Sequence, residues 1–249
     1  MQNWFPFSDE WLQATSGFTV HERLFGLWII SEANLEAAQG RPTFYRSDAI
    51  AAVTLRMGLD KVRRARRRFQ AAGLISAVPG FRAKGRNLAT TYTAVRMAAP
   101  PKAGSWAKVH RHAFHALLAH LRRGPSAHAD VWTWLVLLFL RNRYDEDDEG
   151  SFFVSKRELR AVTGIVQATE CVRRLHDGFH FKNGPALFEY EDQHHRFRFT
   201  LWQGFAESSE MAERWRREIA EGVGGLKSKV RKKPRKRGTS GRKAAARLP

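Results

Sequence analysis

Six cations lie within eight residues at Lys61, Arg63, Arg64, Arg66, Arg67 and Arg68, against one acid, Asp60. Such a density suits phosphate and base-edge chemistry. A guanidinium offers a rigid fork of donors, and one good bidentate pair with guanine is worth roughly 1–3 kcal/mol of discrimination. Whether the cations are available depends on their period. Val62, Ala65, Phe69 and Ala72 recur at three- and four-residue steps, so a helix from Leu59 to about Ala72 should bury one narrow stripe. Lys61, Arg64, Arg67 and Arg68 are then expected to face outward, with Lys61, Arg64 and Arg68 opposite the Val62/Phe69 stripe.

A second basic group, Arg82, Lys84 and Arg86, sits in the glycine-containing loop from Pro79 to Asn87, where it could follow a DNA backbone or the adjacent minor groove. A third is the C-terminal tail, whose cations include Lys232, Lys233, Arg235, Lys236 and Arg237. From Lys227 onward this tail holds eleven cations and no acid, the composition of a non-specific phosphate binder whose grip weakens with salt. The formal charge of +19 therefore has two sources: +11 in the tail and +10 between Arg56 and Arg96, leaving −2 for everything else. A merely soluble surface would spread that charge, so the alternatives of a solvated basic face and of a solubility or targeting tail are the weaker readings.

Other chemistries are poorly provided for. The single cysteine, Cys171, excludes a disulfide framework or cysteine-rich zinc site within one chain. His110, His112, His115 and His120 lie close together and His194-His195 form a pair, but no cysteine or carboxylate completes a tetrahedral set at the usual spacing. Asp145, Asp147, Glu149 and Gly150 imitate half of a calcium loop, yet Lys156 stands where a bidentate glutamate is required. His21-Glu22 lacks the second histidine of a zincin helix, and no glycine-lysine phosphate loop occurs. Tyr45, Tyr92, Tyr144 and Tyr190 stand apart from any histidine set that would support nuclease or relaxase chemistry. The expectation is a non-enzymatic protein without metal or cofactor. With no apolar run of about 18 residues and no basic-then-apolar leader, it is expected to be cytoplasmic and free of membrane.

The elements that must position these cations follow from caps, breakers and periods. Thr19 to Ala38 has the spacing of a long core helix; Ser47 caps a short helix to about Val53; Met57-Gly58 makes a turn into the basic helix. Gly73 can end that helix, and Leu74 to Val78 and Thr90 to Val95 read as strands flanking the basic loop. Ala98 to Ser105, with paired prolines, reads as a linker. The plan then repeats: a helix from His112 to Leu121, an apolar helix Val131 to Leu140 with Asp130 as N-cap, and a strand Phe152 to Val154. Ser155 and Glu158 form a capping-box pattern starting a helix to Val162, and Gly164 turns into a second reading helix, Ala168 to Asp177. Strands Ala186 to Tyr190 and Arg196 to Trp202, joined by Glu191 to His195, supply a second hairpin; a charged helix Ala206 to Glu221 precedes the tail. On the second reading helix Gln167, Thr169, Arg173 and Arg174 are the candidate DNA contacts, with dimerisation or partner binding as the other use. The apolar Trp4, Phe5, Phe7 and Trp11 are expected to pack on the first core, a partner groove being the alternative.

The run Val62-Arg63-Arg64-Ala65-Arg66-Arg67-Arg68-Phe69-Gln70-Ala71-Ala72-Gly73-Leu74-Ile75 resembles the third helix and first wing strand of bacterial winged-helix proteins. Val154-Ser155-Lys156-Arg157-Glu158-Leu159-Arg160-Ala161-Val162-Thr163-Gly164 resembles the helix-turn start of a second copy. Two such copies in one chain, over roughly Thr19 to Trp202, are similar to replication initiators of plasmids and phages, which grip repeated origin sequences with paired winged helices. The expectation is a mainly α, α+β chain: a winged helix-turn-helix domain over 1–97, a linker over 98–105, a second such domain over 106–222 and a disordered basic tail over 223–249. The resemblance implies sequence-specific binding of double-stranded DNA, with a second copy of the chain or replication proteins as further partners. A transcriptional regulator that uses its second domain for dimerisation or partner binding is the alternative.

Overall fold

A computed structural model describes residues 4–41, 43–78, 80, 89–95, 105–121, 124, 126–144, 150–178 and 188–201. Arg82, Lys84, Arg86, the paired prolines, the acidic residues 145–149, the helix expected over 206–221 and the basic tail with Lys232, Lys233, Arg235, Lys236 and Arg237 lie outside these residues. The described chain is mixed α+β with three small antiparallel sheets, and none of its helices is long and apolar enough to cross a membrane.

It begins with β1 (Trp4–Ser8) and α1 (Asp9–Ala14), followed by α2 (Val20–Ala38). A reciprocal capping box starts α2: Thr19 Oγ1 accepts the Glu22 N–H at 3.4 Å, and Glu22 Oε2 accepts the Thr19 N–H at 2.8 Å. After β2 (Phe44–Arg46), Ser47 Oγ accepts the Ile50 N–H at 3.1 Å and opens α3 (Asp48–Thr54). The left-handed residue of the next turn is Arg56, at φ 50°, and Gly58 is the N-cap of α4 (Leu59–Ala71). Gly73, at φ 67°, ends α4 and leads into β3 (Ile75–Val78), which pairs with β4 (Thr90–Val95). The sheet order is β2-β4-β3. Phe44 and Tyr92 face each other across it, stacked at 4.9 Å, and Ala77 continues that buried row.

The second run comprises β5 (Trp106–His110), α5 (Arg111–His120), α6 (Ala127–Arg143), β6 (Ser151–Ser155), α7 (Lys156–Thr163), α8 (Ala168–Gly178), β7 (Phe188–Gln193) and β8 (Arg196–Leu201). The order helix, strand, helix, helix, strand, strand, seen from α2 to β4, recurs from α6 to β8, and the sheet order β6-β8-β7 matches that of the first run. Two expectations need correction here. Helix α6 starts at Ala127, so Asp130 lies inside its first turn and its carboxylate binds Arg174 instead of capping. Strand β7 extends to Gln193, because Glu191 and Gln193 pair with Arg198 and Arg196, and the hairpin turns at His194, φ 53°.

The two runs share one hydrophobic core. Strand β1 pairs antiparallel with β5, setting Phe5 opposite Val109 and Phe7 opposite Ala107. Phe5, Phe7 and Trp11 are buried as expected, but on the second run as well as the first. Phe7 meets Trp132 at 5.6 Å and Phe139 at 5.7 Å, and Phe5 meets Phe114 at 5.2 Å. Each such aromatic pair contributes about 0.5–1.5 kcal/mol beyond simple burial. Buried Arg23 donates to the carbonyls of Thr15, Ser16 and Thr163 and lies over the Trp132 ring, satisfying the C-terminal end of α7 from helix α2.

Candidate nucleic-acid interface

Helix α4 lies against α2 through Val62, Ala65 and Phe69, all buried as read from the sequence, whereas Ala72, expected to continue the stripe, is the exposed C-cap, because the helix ends at Ala71. Phe69 reaches α2 where Gly26 leaves room, its ring 2.3 Å from where a β-carbon on Gly26 would stand. The cations divide into two groups. Arg66, expected only to be one of the DNA contacts, is buried and forms a two-pronged pair with Asp48 of α3, Nε and Nη2 each 3.1 Å from a carboxylate oxygen. Arg68 is exposed, as expected, but it is not free: its guanidinium donates to Glu22 at 2.8 Å and to the Gly17 carbonyl at 2.7 Å, and it covers the Phe18 ring at 4.6 Å. Each is paired with an acid from an earlier helix, Arg66 in the interior and Arg68 at the surface, which a spacing argument within α4 alone does not register.

Arg63 is half-exposed and lies 3.8 Å from Asp48 and 3.5 Å from Asp60. Lys61, Arg64 and Arg67 are exposed. Among the described residues Lys61 and Arg64 form no ion pair, and the only hydrogen bond of the Arg67 guanidinium is to the Arg63 carbonyl at 3.4 Å. These three side chains make a positive face on one short helix. Arg66 also lies 3.5 Å from Gln70, whose amide donates to the Ala77 carbonyl at 2.7 Å, so a polar chain runs from α3 through α4 to β3. Beside the face, His21 lies against His128 with ring centroids 4.3 Å apart and the rings tilted by 34°. Burial, then the charges of His128 and Lys61, push the His21 pKa down to about 4. Desolvation likewise raises the pKa of buried Tyr92, with Asp48 adding to the rise.

Below α2 lies a second charged cluster. Glu32 accepts from Arg46 at 2.5 Å and Arg111 at 2.7 Å, and His115 Nε2 lies 3.7 Å away. Burial raises the Glu32 pKa, but the His115 and Arg111 contacts and the Arg46 charge outweigh it and bring the value down to about 2. Glu36 also pairs with Arg46, at 3.1 Å, and with Arg41. These contacts join β2 of the first run to α5 of the second.

Helix α8 presents a different surface. Arg174 is bound to the buried Asp130, Nη2 at 2.7 Å, and this contact raises its pKa against desolvation. Arg173 lies 3.8 Å from Glu170 and 3.6 Å from Asp192. Gln167 is exposed and Thr169 half-buried. The four candidates on or before this helix thus include no cation without an acidic neighbour. On α7, by contrast, Arg157 and Arg160 are exposed one turn apart and pair with no acid among the described residues. Sequence alone does not single them out, because Lys156, Arg157, Glu158 and Arg160 read as a mixed solvated helix start; the separating signal is that Glu158 engages Tyr144 and Lys156 engages Asp192. Among the described residues no group of three or more His, Cys, Asp and Glu could hold a metal ion. Compared with known proteins, the chain matches no protein-family model, no curated protein and no solved structure.

Proposed function

We propose that this chain is a sequence-specific double-stranded DNA-binding protein that reads bases with α4. The observation that carries the reading is the exposed Lys61, Arg64 and Arg67 face on a helix otherwise packed and internally neutralised. The repeated order of helices and hairpin strands, with the same sheet order in each run, supports reading both as winged helix-turn-helix units. An α-helix of this length fits the major groove, Arg64 offering base-edge donors and Lys61 and Arg67 phosphate contacts. Arg82, Lys84, Arg86 and the basic tail are assigned phosphate contacts by composition.

Within this reading the chain is a replication initiator of a plasmid or phage that grips origin repeats. One observation favours the regulator as a second reading: Arg173 and Arg174 are engaged by acids, which suits α8 to partner binding. Selection of bound fragments from random DNA separates the two, an array of direct repeats supporting initiation and a single palindrome supporting regulation. On the selected duplex, Arg64→Ala is expected to weaken binding by about tenfold or more with an unchanged melting temperature, whereas Arg68→Ala lowers the melting temperature as well. An unchanged footprint with Arg64→Ala removes α4 from the reading role.

A further inference from the structure

Resting on that reading, we infer that Asp48 is a positioning residue for recognition: by holding Arg66 and drawing on Arg63, it sets the orientation of α4 and keeps two of its cations from gripping phosphate indiscriminately. Three observations meet at this carboxylate. Its two oxygens take both prongs of the Arg66 guanidinium at 3.1 Å, where Arg66 is only 7% exposed. Its Oδ2 lies 3.8 Å from Arg63 Nε, and the Arg63 side chain is 43% exposed, on the edge of the free face. The chain of contacts then continues through Gln70 to the carbonyl of Ala77 on β3. One acid thus links the preceding helix, the reading helix and the strand that precedes Arg82, Lys84 and Arg86 in the sequence. A fork-to-fork pair constrains orientation as well as distance, so α4 cannot rotate about its axis without breaking it.

The charge consequence is separate from the geometric one. Asp48 neutralises cations that would otherwise add to the field over the face, and non-specific DNA affinity scales with the number of phosphates neutralised. Losing the carboxylate should therefore make the protein bind DNA more tightly and less selectively, the opposite of what a merely weakened fold would do.

The test uses the full chain, with fluorescence anisotropy across a salt series on two duplexes: the one wild type selects from random DNA and a scrambled duplex of equal length. For Asp48→Asn, affinity for the scrambled duplex is expected to rise about threefold or more at low salt, with a salt slope steeper by about one phosphate, while preference for the selected duplex falls about tenfold. Asp48→Glu keeps the charge and changes the geometry, so it should lose preference with the wild-type salt slope. Arg66→Met is expected to lose preference with no gain on the scrambled duplex. Melting by circular dichroism establishes that each variant is folded, and if Asp48→Asn does not fold, Asp48→Glu decides the outcome. Variants that keep the wild-type preference, or that weaken on both duplexes in parallel, overturn this inference alone. A wild-type chain that discriminates among no duplexes overturns the DNA reading, and this inference with it.

Discussion

Replacing Gly26 with alanine tests the seating of α4 most directly. In a free helix the change would stabilise by about 1 kcal/mol, since glycine is the poorer helix former. Here the new β-carbon would stand 2.3 Å and 2.5 Å from two carbons of the Phe69 ring and 3.3 Å from Trp11. Ordinary carbon contact needs about 3.5–4.0 Å, so the ring must retreat by more than about 1 Å. It has nowhere to go. The void lined by Trp11, Gly26, Ile30, Phe69, Leu74, Ile75 and Val95 measures about 10 Å³, and Phe18 and Phe25 hold the ring at centroid distances of 4.8 Å and 6.0 Å. Overpacking of this kind costs about 1–3 kcal/mol, and loss of the Phe69 seat altogether up to about 5 kcal/mol. After the helix gain, the net is a destabilisation of up to about 2 kcal/mol from overpacking and up to about 4 kcal/mol if the seat is lost, with a fall of about 2–4 °C in melting temperature per kcal/mol for a chain of this size. Scanning calorimetry or a denaturant titration measures it, and Gly26→Ala with Phe69→Leu should recover part of the loss. A single Gly26→Ala variant that melts at or above wild type would refute the packing argument.

Acid should weaken the fold in two steps. His21 has a folded pKa of about 4 against 6.5 in the unfolded chain, so the unfolded state binds more protons between those values and stability falls as pH drops through that window. The loss is at most about 3 kcal/mol, less because the ring is half-buried, and His21→Gln should flatten stability between pH 6.5 and 4. Glu32 contributes stability fully present above its unfolded pKa of 4.5 and lost as pH falls towards about 2; Glu32→Gln should remove that lower step and destabilise the neutral protein by about 2–4 kcal/mol, because Arg111 loses its carboxylate and Arg46 keeps only Glu36. Deleting Lys227 to Pro249 should weaken DNA binding and flatten its salt dependence without altering the selected sequence, and a changed sequence would show that the tail does more than touch phosphate.

Apart from the six-residue α1, which the sequence reading did not include, and the start of α6, the helices were legible because their signals are local. The apolar spacing of Thr19 to Ala38 marks α2, Ser47 and Ser155 with Glu158 mark starts, and Gly73 and Gly164 mark ends through their left-handed backbone. Strands β1, β2 and β5 were not. Trp4 to Phe7 is an unbroken apolar stretch around Pro6 with no two-residue alternation; β2 has three residues; and β1 finds its partner in β5, far along the chain. A short strand is defined by what it pairs with, so pattern within the segment carries little of the information. The same limit applies to the expectation that the N-terminal aromatics belong to the first core, when Phe7 sits against Trp132 and Phe139.

For the candidate site, the face was legible and its neutralisation was not. The period of Val62, Ala65 and Phe69 says which side of α4 is packed, but not that Asp48, 18 residues earlier, and Glu22, 46 residues earlier, come up beneath Arg66 and Arg68. The same tertiary effect separates the two runs. In the first, two acids take up two arginines and leave Lys61, Arg64 and Arg67 exposed; in the second, Asp130, Glu170 and Asp192 account for both arginines of α8, while Glu170 and Asp177 remain exposed. Fields of exposed charges fade over about 8 Å at physiological salt, so each helix face acts on a nearby phosphate largely by its own charge. Under the proposed function, α8 therefore offers a duplex a weaker face than α4, while Arg157 and Arg160 of the neighbouring α7 are cations of the second run without an acidic partner among the described residues.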